Sequence, residues 1–131
     1  MNKKLIIFMP SIEGGGVEKN LFLISNHLSN CFGNITLITL SKKYQNKFNS
    51  KIKLVTLKSN LWDKIGRRKK FIILLFLLIK EIFFNKSLVL SFQANIYSTL
   101  ICKIFFTKII VRSNSSPEEW LNNIFKKYFY K

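Results

Sequence analysis

Three consecutive glycines, Gly14, Gly15 and Gly16, stand between a strand-like apolar run and a helix-like segment. Glycine has no Cβ, so a turn made of glycines lets a ligand come close to the backbone. The first amides of a helix are free to donate hydrogen bonds and lie at the positive end of the helix dipole. The pattern therefore favours a site for a phosphate, a carboxylate or a sugar hydroxyl, although a plain flexible turn would have the same glycine content.

The glycines complete neither of the two common nucleotide-binding motifs. In the dinucleotide fingerprint G-x-G-x-x-G, the third glycine would stand where this sequence has Lys19. The phosphate-binding pattern G-x-x-x-x-G-K-[ST] does not occur either. What remains is a glycine-rich helix start whose ligand these motifs leave unidentified.

Other residue types that carry out catalysis are scarce. The chain has six acidic residues, one histidine and two cysteines, and their spacing forms neither a carboxylate pair nor a set of metal ligands. His27 is expected to have a structural or solvent-facing role. Cys31 and Cys102 lie in apolar helical contexts and are expected to be buried small hydrophobic residues. The sequence therefore predicts no metal site.

Alternating strand and helix patterns surround the glycine turn. Apolar and β-branched runs predict five strands, over residues 5–9, 35–40, 52–57, 87–92 and 108–113. Helical spacing and capping residues predict four helices, from the glycines to a glycine-marked end at 30–33, over 62–84, over 94–106 and from Ser116 onwards. The alternation predicts one α/β domain, a doubly wound, mostly parallel, Rossmann-like sheet with helices on both faces.

Ligands of such sheets bind beyond the carboxyl ends of the strands. The segments that follow the predicted strands are therefore the candidate site loops, at 10–17, 40–43, 91–95 and 112–116. All but the second are rich in Gly, Ser, Asn or Gln. Arg112 could grip a phosphate or carboxylate from such a loop, or could form a surface ion pair with Glu118 or Glu119.

The charge of the chain is strongly positive. Lys and Arg number 22 against 6 acidic residues, a formal net charge of +16, which favours anionic partners; the lysine-rich composition is equally typical of drift in an AT-rich genome. Four basic residues, Arg67, Arg68, Lys69 and Lys70, precede an apolar run at 71–79. This cluster suits an anionic membrane surface, whereas an all-round apolar helix packed between layers would show a similar pattern.

The apolar run is about half the length that a bilayer span requires, and the N-terminus does not have the pattern of a signal sequence. We therefore expect a cytoplasmic protein, with peripheral contact to the inner face of the cytoplasmic membrane as an open alternative. Because no RNA-recognition, KH, helix-turn-helix or zinc-finger pattern occurs, no nucleic-acid partner is expected.

Three stretches of the sequence, G-G-V-E-K at 15–19, S-F-Q-A-N at 91–95 and R-S-N-S-S-P at 112–117, together resemble family 4 retaining glycosyltransferases of the GT-B fold. These enzymes begin with a strand, a small-residue loop, the pattern Gly-Gly-x-Glu-[Arg/Lys] and an apolar helix, and G-G-V-E-K at 15–19 matches that pattern. S-F-Q-A-N at 91–95 resembles their S-F-x-x-N turn. R-S-N-S-S-P at 112–117 resembles a segment found in a bacterial cell-surface polysaccharide subgroup. The resemblance covers nearly the whole chain.

The resemblance implies that residues 1–131 are an incomplete, truncated N-terminal, acceptor-side domain, without the C-terminal nucleotide-sugar domain. The intact enzyme would transfer a sugar from a nucleotide-diphosphate sugar, its donor substrate, to a lipid-linked or cell-surface glycan acceptor, with no metal or other cofactor. The fragment alone would be inactive. Residues implied to bind the donor phosphate or sugar are Gly14, Gly15, Gly16 and Glu18, and those implied to line the acceptor side are Ser91, Asn95, Arg112 and Asn114.

Two other classes of protein remain open from the sequence. One is a non-catalytic basic α/β module that binds an anionic membrane or a nucleotide phosphate. The other is a different nucleotide-using α/β enzyme with an unusual glycine loop.

Overall fold

A computed structural model describes residues 4–40, 42–57, 66–84 and 87–113. The predicted helix from Ser116 onwards, the first residues of the predicted helix over 62–84, and Asn114 lie outside the described residues. The described elements are, in chain order, β1 (Lys4–Phe8), α1 (Gly16–Cys31), β2 (Ile35–Ile38), a short 3₁₀ turn (Gln45–Lys47), β3 (Ile52–Val55), α2 (Arg67–Phe83), β4 (Ser87–Ser91), α3 (Asn95–Ile104) and β5 (Lys108–Val111).

The five strands form one sheet in the order β3-β2-β1-β4-β5, and every neighbouring pair is parallel. The chain moves outward from β1 to β3 and then returns to the other side of β1 for β4 and β5. This reversal is the defining feature of a doubly wound, Rossmann-like sheet. The predicted fold class is confirmed.

The central strand β1 is buried on both faces, and its alternating side chains contribute to two separate cores. Leu5 and Ile7 pack in the core that α1 covers, together with Leu21. Ile6 and Phe8 pack on the opposite face, in the core that α2 and α3 cover. Because a strand directs successive side chains to opposite faces, this near-continuous apolar run requires helices on both sides of the sheet.

Helix α1 buries a face that is partly polar. Its buried residues are Glu18, Leu21, Ser25 and Ser29. The hydroxyl of Ser25 donates to the carbonyl oxygen of Leu21 at 2.6 Å, and that of Ser29 to Asn26 at 2.7 Å. These bonds satisfy the buried hydroxyls within the helix itself, and the small side chains allow the helix to lie close to the sheet.

The end of α1 differs from the sequence-based expectation. The helix is capped by Phe32 in an extended conformation, and the Phe32 N–H donates to the carbonyl oxygen of Leu28. The predicted position of the helix end, near 30–33, is confirmed, but the predicted glycine C-cap was wrong, because Gly33 follows an extended residue and is not itself in the left-handed region.

The two cysteines have different environments. Cys102 is completely buried in the core under α3, as predicted. Cys31 is exposed, so the prediction that it is buried was wrong. As the last residue of α1, Cys31 lies about 120° around the helix from Ser25, which is near the middle of the buried face. Burial raises the pKa of the Cys102 thiol from 9.0 to about 11.

We expect one thiol of the folded protein to react promptly with a disulfide reagent, and the second to react only after unfolding. Exposure makes Cys31 the prompt site, whereas Cys102 is buried and neutral. Between pH 9 and about 11, the thiol of Cys102 ionises in the unfolded chain but stays protonated in the folded protein. Because ionisation then favours the unfolded state, the free energy of unfolding should fall as the pH rises through this range. Labelling in native buffer counts the thiols that react promptly, and labelling in denaturant counts both thiols. Cys31→Ser should remove the prompt reaction. Two prompt thiols would contradict the expectation.

Candidate functional site

The carboxyl ends of β1 and β4 lie side by side at the centre of the sheet. The chain leaves β1 towards α1 on one face and leaves β4 towards α3 on the other. Where two adjacent strands send their connections to opposite faces, a crevice opens at the edge of the sheet, and ligands of doubly wound folds bind there. The glycine loop and the turn that follows β4 therefore form the two sides of the candidate site.

The glycine loop is held by its own side chains. Gly14 has a φ of +100°, a conformation that favours glycine. The carboxylate of Glu18 is buried and accepts the N–H of Glu13 at 3.3 Å. Tyr44 donates its hydroxyl to the carbonyl oxygen of Glu13 at 3.4 Å. Glu18, predicted to bind the donor, thus has at least one carboxylate oxygen occupied by the loop backbone.

Helix α1 begins without a side-chain cap. Its N-cap residue is Gly15, which has no side chain with which to accept a hydrogen bond from the first turn. The N–H groups of a first turn have no partner inside the helix. The first amides of α1 are therefore available to an anion or a hydroxyl in the crevice.

The turn after β4 contains a strained alanine. Ala94 has φ 59° and ψ 36°, in the left-handed region, and is the N-cap of α3, which also lacks a side-chain cap. A non-glycine residue there is costly and is often found at functional sites. The side chain of Gln93 accepts the N–H of Ser11 at 3.2 Å, so the turn is tied directly to the glycine loop.

A buried polar network lies beneath the turn. The hydroxyls of Ser91 and Ser98 are 2.9 Å apart, and both residues are completely buried. The Ser91 hydroxyl also lies 3.1 Å from Oδ1 of Asn95, whose amide nitrogen donates to the carbonyl oxygen of Arg112 at 2.9 Å. Ser91, implied to line the acceptor side, is therefore under the site wall, where it links β4, α3 and the end of β5.

Arg112 adds a positive charge next to this turn. Its N–H donates to the carbonyl oxygen of Ser91 at 2.9 Å. Its guanidinium lies over the ring of Phe92, 5.4 Å from the centroid. Within the described ranges, Nη1 of Arg112 is buried and has no hydrogen-bond partner. An unsatisfied buried guanidinium nitrogen is costly and would gain from an anionic ligand.

A pocket of about 170 Å³ lies at the same end of the sheet. Its lining is mostly apolar and comes from four elements or their connections: Pro10, Ser11, Leu40, Phe71, Gln93 and Ala94. The sequence identified the strand-end loops that contribute to this pocket. It missed Phe71, because a ring in an apolar helix gives no signal that distinguishes a pocket wall from core.

The remaining predicted residues lie elsewhere. Arg68, Lys69 and Lys70 are in the first turn of α2, and the side chain of Arg67 is outside the described part. His27 is exposed on α1. Among the described residues, no three of His, Cys, Asp and Glu lie close enough together to hold a metal ion. No described helix is both long enough and apolar enough to cross a membrane.

The structure thus brings the glycine loop, Asn95 and Arg112 to neighbouring positions along one edge of the sheet. Comparison with models of known protein families gave no match for this chain. No curated protein matched it either.

Proposed function

We propose that the protein takes part in glycosyl transfer from a nucleotide-diphosphate sugar to a lipid-linked or cell-surface glycan acceptor. The observation that carries the proposal is that two helices without a side-chain cap, starting at Gly15 and Ala94, follow the adjacent strands β1 and β4, whose connecting turns are joined by the hydrogen bond from Ser11 to Gln93. Two sets of free amides in one crevice suit the negative charge that develops on a departing diphosphate.

Arg112 supports the same proposal. A guanidinium presents several donors in a fixed plane and pairs well with phosphate or carboxylate oxygens. Because its Nη1 has no partner within the described ranges, an oxygen of the donor or of an acceptor phosphate would satisfy it. The opposite wall of the cleft would come from a nucleotide-sugar domain outside residues 1–131, and the protein would work in the cytoplasm at the inner face of the membrane.

Titration with pyrophosphate tests the anion site in the chain as it stands. We expect the backbone amide signals of Gly15, Gly16 and Asn95 to shift in ¹⁵N-resolved spectra. In Arg112→Gln, the apparent affinity for pyrophosphate obtained from these shifts should fall by about tenfold, because a charge-assisted hydrogen bond contributes about 1.5–3 kcal/mol. Lys53→Gln, an exposed cation on β3, is the matched control. Shifts spread over residues away from the site, with equal losses of affinity in Arg112→Gln and Lys53→Gln, would contradict the proposal.

Pyrophosphate binding alone would also fit a module that binds a nucleotide phosphate without transferring a sugar. Deletion of the gene in the organism of origin separates the two functions. Loss of a surface glycan, restored by the wild-type gene, would support transfer. An unchanged glycan profile together with pyrophosphate binding would favour the non-catalytic module.

A further inference from the structure

The outer face of α2 is apolar, although the helix already buries its inner face. Leu74, Leu78 and Ile82 pack in the core. On the opposite side Ile72, Phe76 and Phe83 are 51%, 66% and 71% exposed. Their spacing of four and seven residues places them in one stripe along the helix. Packing against the sheet therefore accounts for only one of the two apolar faces.

Helix α3 presents a second exposed stripe. Ile96, Leu100 and Ile104 recur every four residues and are 75%, 60% and 64% exposed. Phe106, just after the helix, is 97% exposed. We name the two stripes together the outer helix surface, which consists of Ile72, Phe76, Phe83, Ile96, Leu100 and Ile104. Soluble monomers rarely expose so many large apolar side chains on neighbouring elements, and such patches mark interaction sites.

The two stripes belong to one surface because the helices contact each other. The rings of Phe71 on α2 and Tyr97 on α3 meet edge to face, with centroids 5.5 Å apart. At the other end of α2, Phe83 meets Phe105 in the same geometry at 6.5 Å. An occupant of this surface would therefore cover both helices at once.

Among the described residues of α2 and α3, the exposed charges have one sign. Arg68, Lys69, Lys80 and Lys103 are exposed on the same two helices. The acidic residue of these helices, Glu81, forms an ion pair with Lys4. An apolar surface bordered by cations suits an interface that is apolar inside and anionic outside. A second copy of the same surface would bring like charges together, which costs free energy.

We propose that the outer helix surface docks onto an anionic lipid bilayer. The aliphatic and aromatic side chains would enter the boundary between headgroups and acyl chains, and the cations would contact lipid phosphates. The pocket of the candidate site lies next to the contact between the two helices, because Phe71 lines the pocket and also contacts Tyr97 on α3. The inference does not depend on sugar transfer, since it rests on exposure and charge alone.

Flotation with vesicles of equal parts phosphatidylcholine and phosphatidylglycerol tests the proposal on the 131-residue chain. We expect the double variant Phe76→Ser/Phe83→Ser to lower the partition coefficient by about tenfold or more, because burying a phenylalanine side chain is favourable by about 1.5–3 kcal/mol. Leu23→Ser is the matched control, since Leu23 is 70% exposed on α1, across the sheet. Circular dichroism verifies that each variant is folded.

Charge reversal tests the cationic border separately. Lys69→Glu/Lys80→Glu should weaken binding by about fivefold or more per residue, because one cation near an anionic membrane contributes about 1 kcal/mol. Lys51→Glu/Lys53→Glu, at exposed lysines before and on β3, should have a smaller effect. Equal losses from the two pairs would mean non-specific charge attraction and would overturn the proposal.

Three further results would also overturn it. One is vesicle binding that Phe76→Ser/Phe83→Ser leaves unchanged, and another is an equal loss with Leu23→Ser. The third is self-association through the same phenylalanines without vesicle binding, which would assign the surface to contact with a second copy of the protein. If Phe76→Ser/Phe83→Ser loses vesicle binding but keeps the pyrophosphate shifts, the result would support the bilayer-docking surface and would not affect the proposed anion site.

Discussion

Replacing Phe92 with alanine will lower the free energy of unfolding by about 3–5 kcal/mol, the range found for truncation of buried aromatic residues. The ring of Phe92 is completely buried and belongs to the core under α1. Its N–H donates to the carbonyl oxygen of Phe8, which joins the ends of β4 and β1. Small domains are stable by about 5–15 kcal/mol in total, so this variant would lose a large share of the stability.

The effect of Phe92→Ala should extend to the candidate site. The ring supports the guanidinium of Arg112, and its removal takes away a cation–π contact of about 0.5–2 kcal/mol. Arg112 would then be less fixed next to the turn after β4. Pyrophosphate shifts should therefore weaken in this variant even at temperatures where it remains folded.

Urea unfolding followed by circular dichroism measures the loss of stability. Phe92→Leu keeps most of the side-chain volume and should cost less than about 1.5 kcal/mol. Phe76→Ala removes an equal ring from a position that is 66% exposed and should change stability by no more than about 0.5 kcal/mol. A loss below about 1 kcal/mol in Phe92→Ala would show that the ring does not hold β4 in the core.

The alternation of strands and helices was predictable because each element shows a strong pattern. The long buried run of β1 and the β-branched residues of β2 are typical of parallel strands, and their observed bounds differ from the expected ones by a residue or two. The buried face of α1 was harder to predict. Ser25 and Ser29 are polar, and only the structure shows that their hydroxyls bond to the carbonyl groups of their own helix.

The position of the site was predictable from topology, but its interior was not. The carboxyl ends of parallel strands share one edge, so the loops at Gly14–Gly16 and after β4 had to be neighbours. Nothing in the sequence indicates that Ala94 adopts a positive φ, because that conformation is usually marked by glycine. Nor does the motif around Ser91 indicate that this hydroxyl is buried beneath the site.

The sequence did not predict whether the outer face of α2 is exposed. A helix that is apolar all round can be packed between two layers or can present one face to a partner. The pattern of residues at 71–79 is the same in both cases. In the described part of the chain, α2 buries only one face, because Leu74 and Leu78 are fully buried whereas Ile72 and Phe76 are more than half exposed.

Replacing Gly16 with valine will leave the fold intact and lower the proposed sugar transfer by about a hundredfold or more, the loss expected when a substrate is displaced by about 1 Å. A Cβ at Gly16 would meet no other atom within 4 Å, so the substitution is accommodated sterically. The same open space is where the proposed donor must approach the first turn of α1, and the valine side chain would occupy it. Gly14 is unsuited to this test, because its φ of +100° makes any side chain strained.

Gly66→Val is the matched control for this variant. Gly66 also stands at a helix start and has open space at its Cβ, but it is the N-cap of α2. Both variants should keep an unfolding free energy within about 1 kcal/mol of the wild type, the span of helix propensities. Surface-glycan formation in cells that carry each chromosomal substitution measures transfer, and pyrophosphate titration of the purified chains measures the anion site. Retained glycan formation in a folded Gly16→Val protein would show that the glycine loop is a simple turn between β1 and α1.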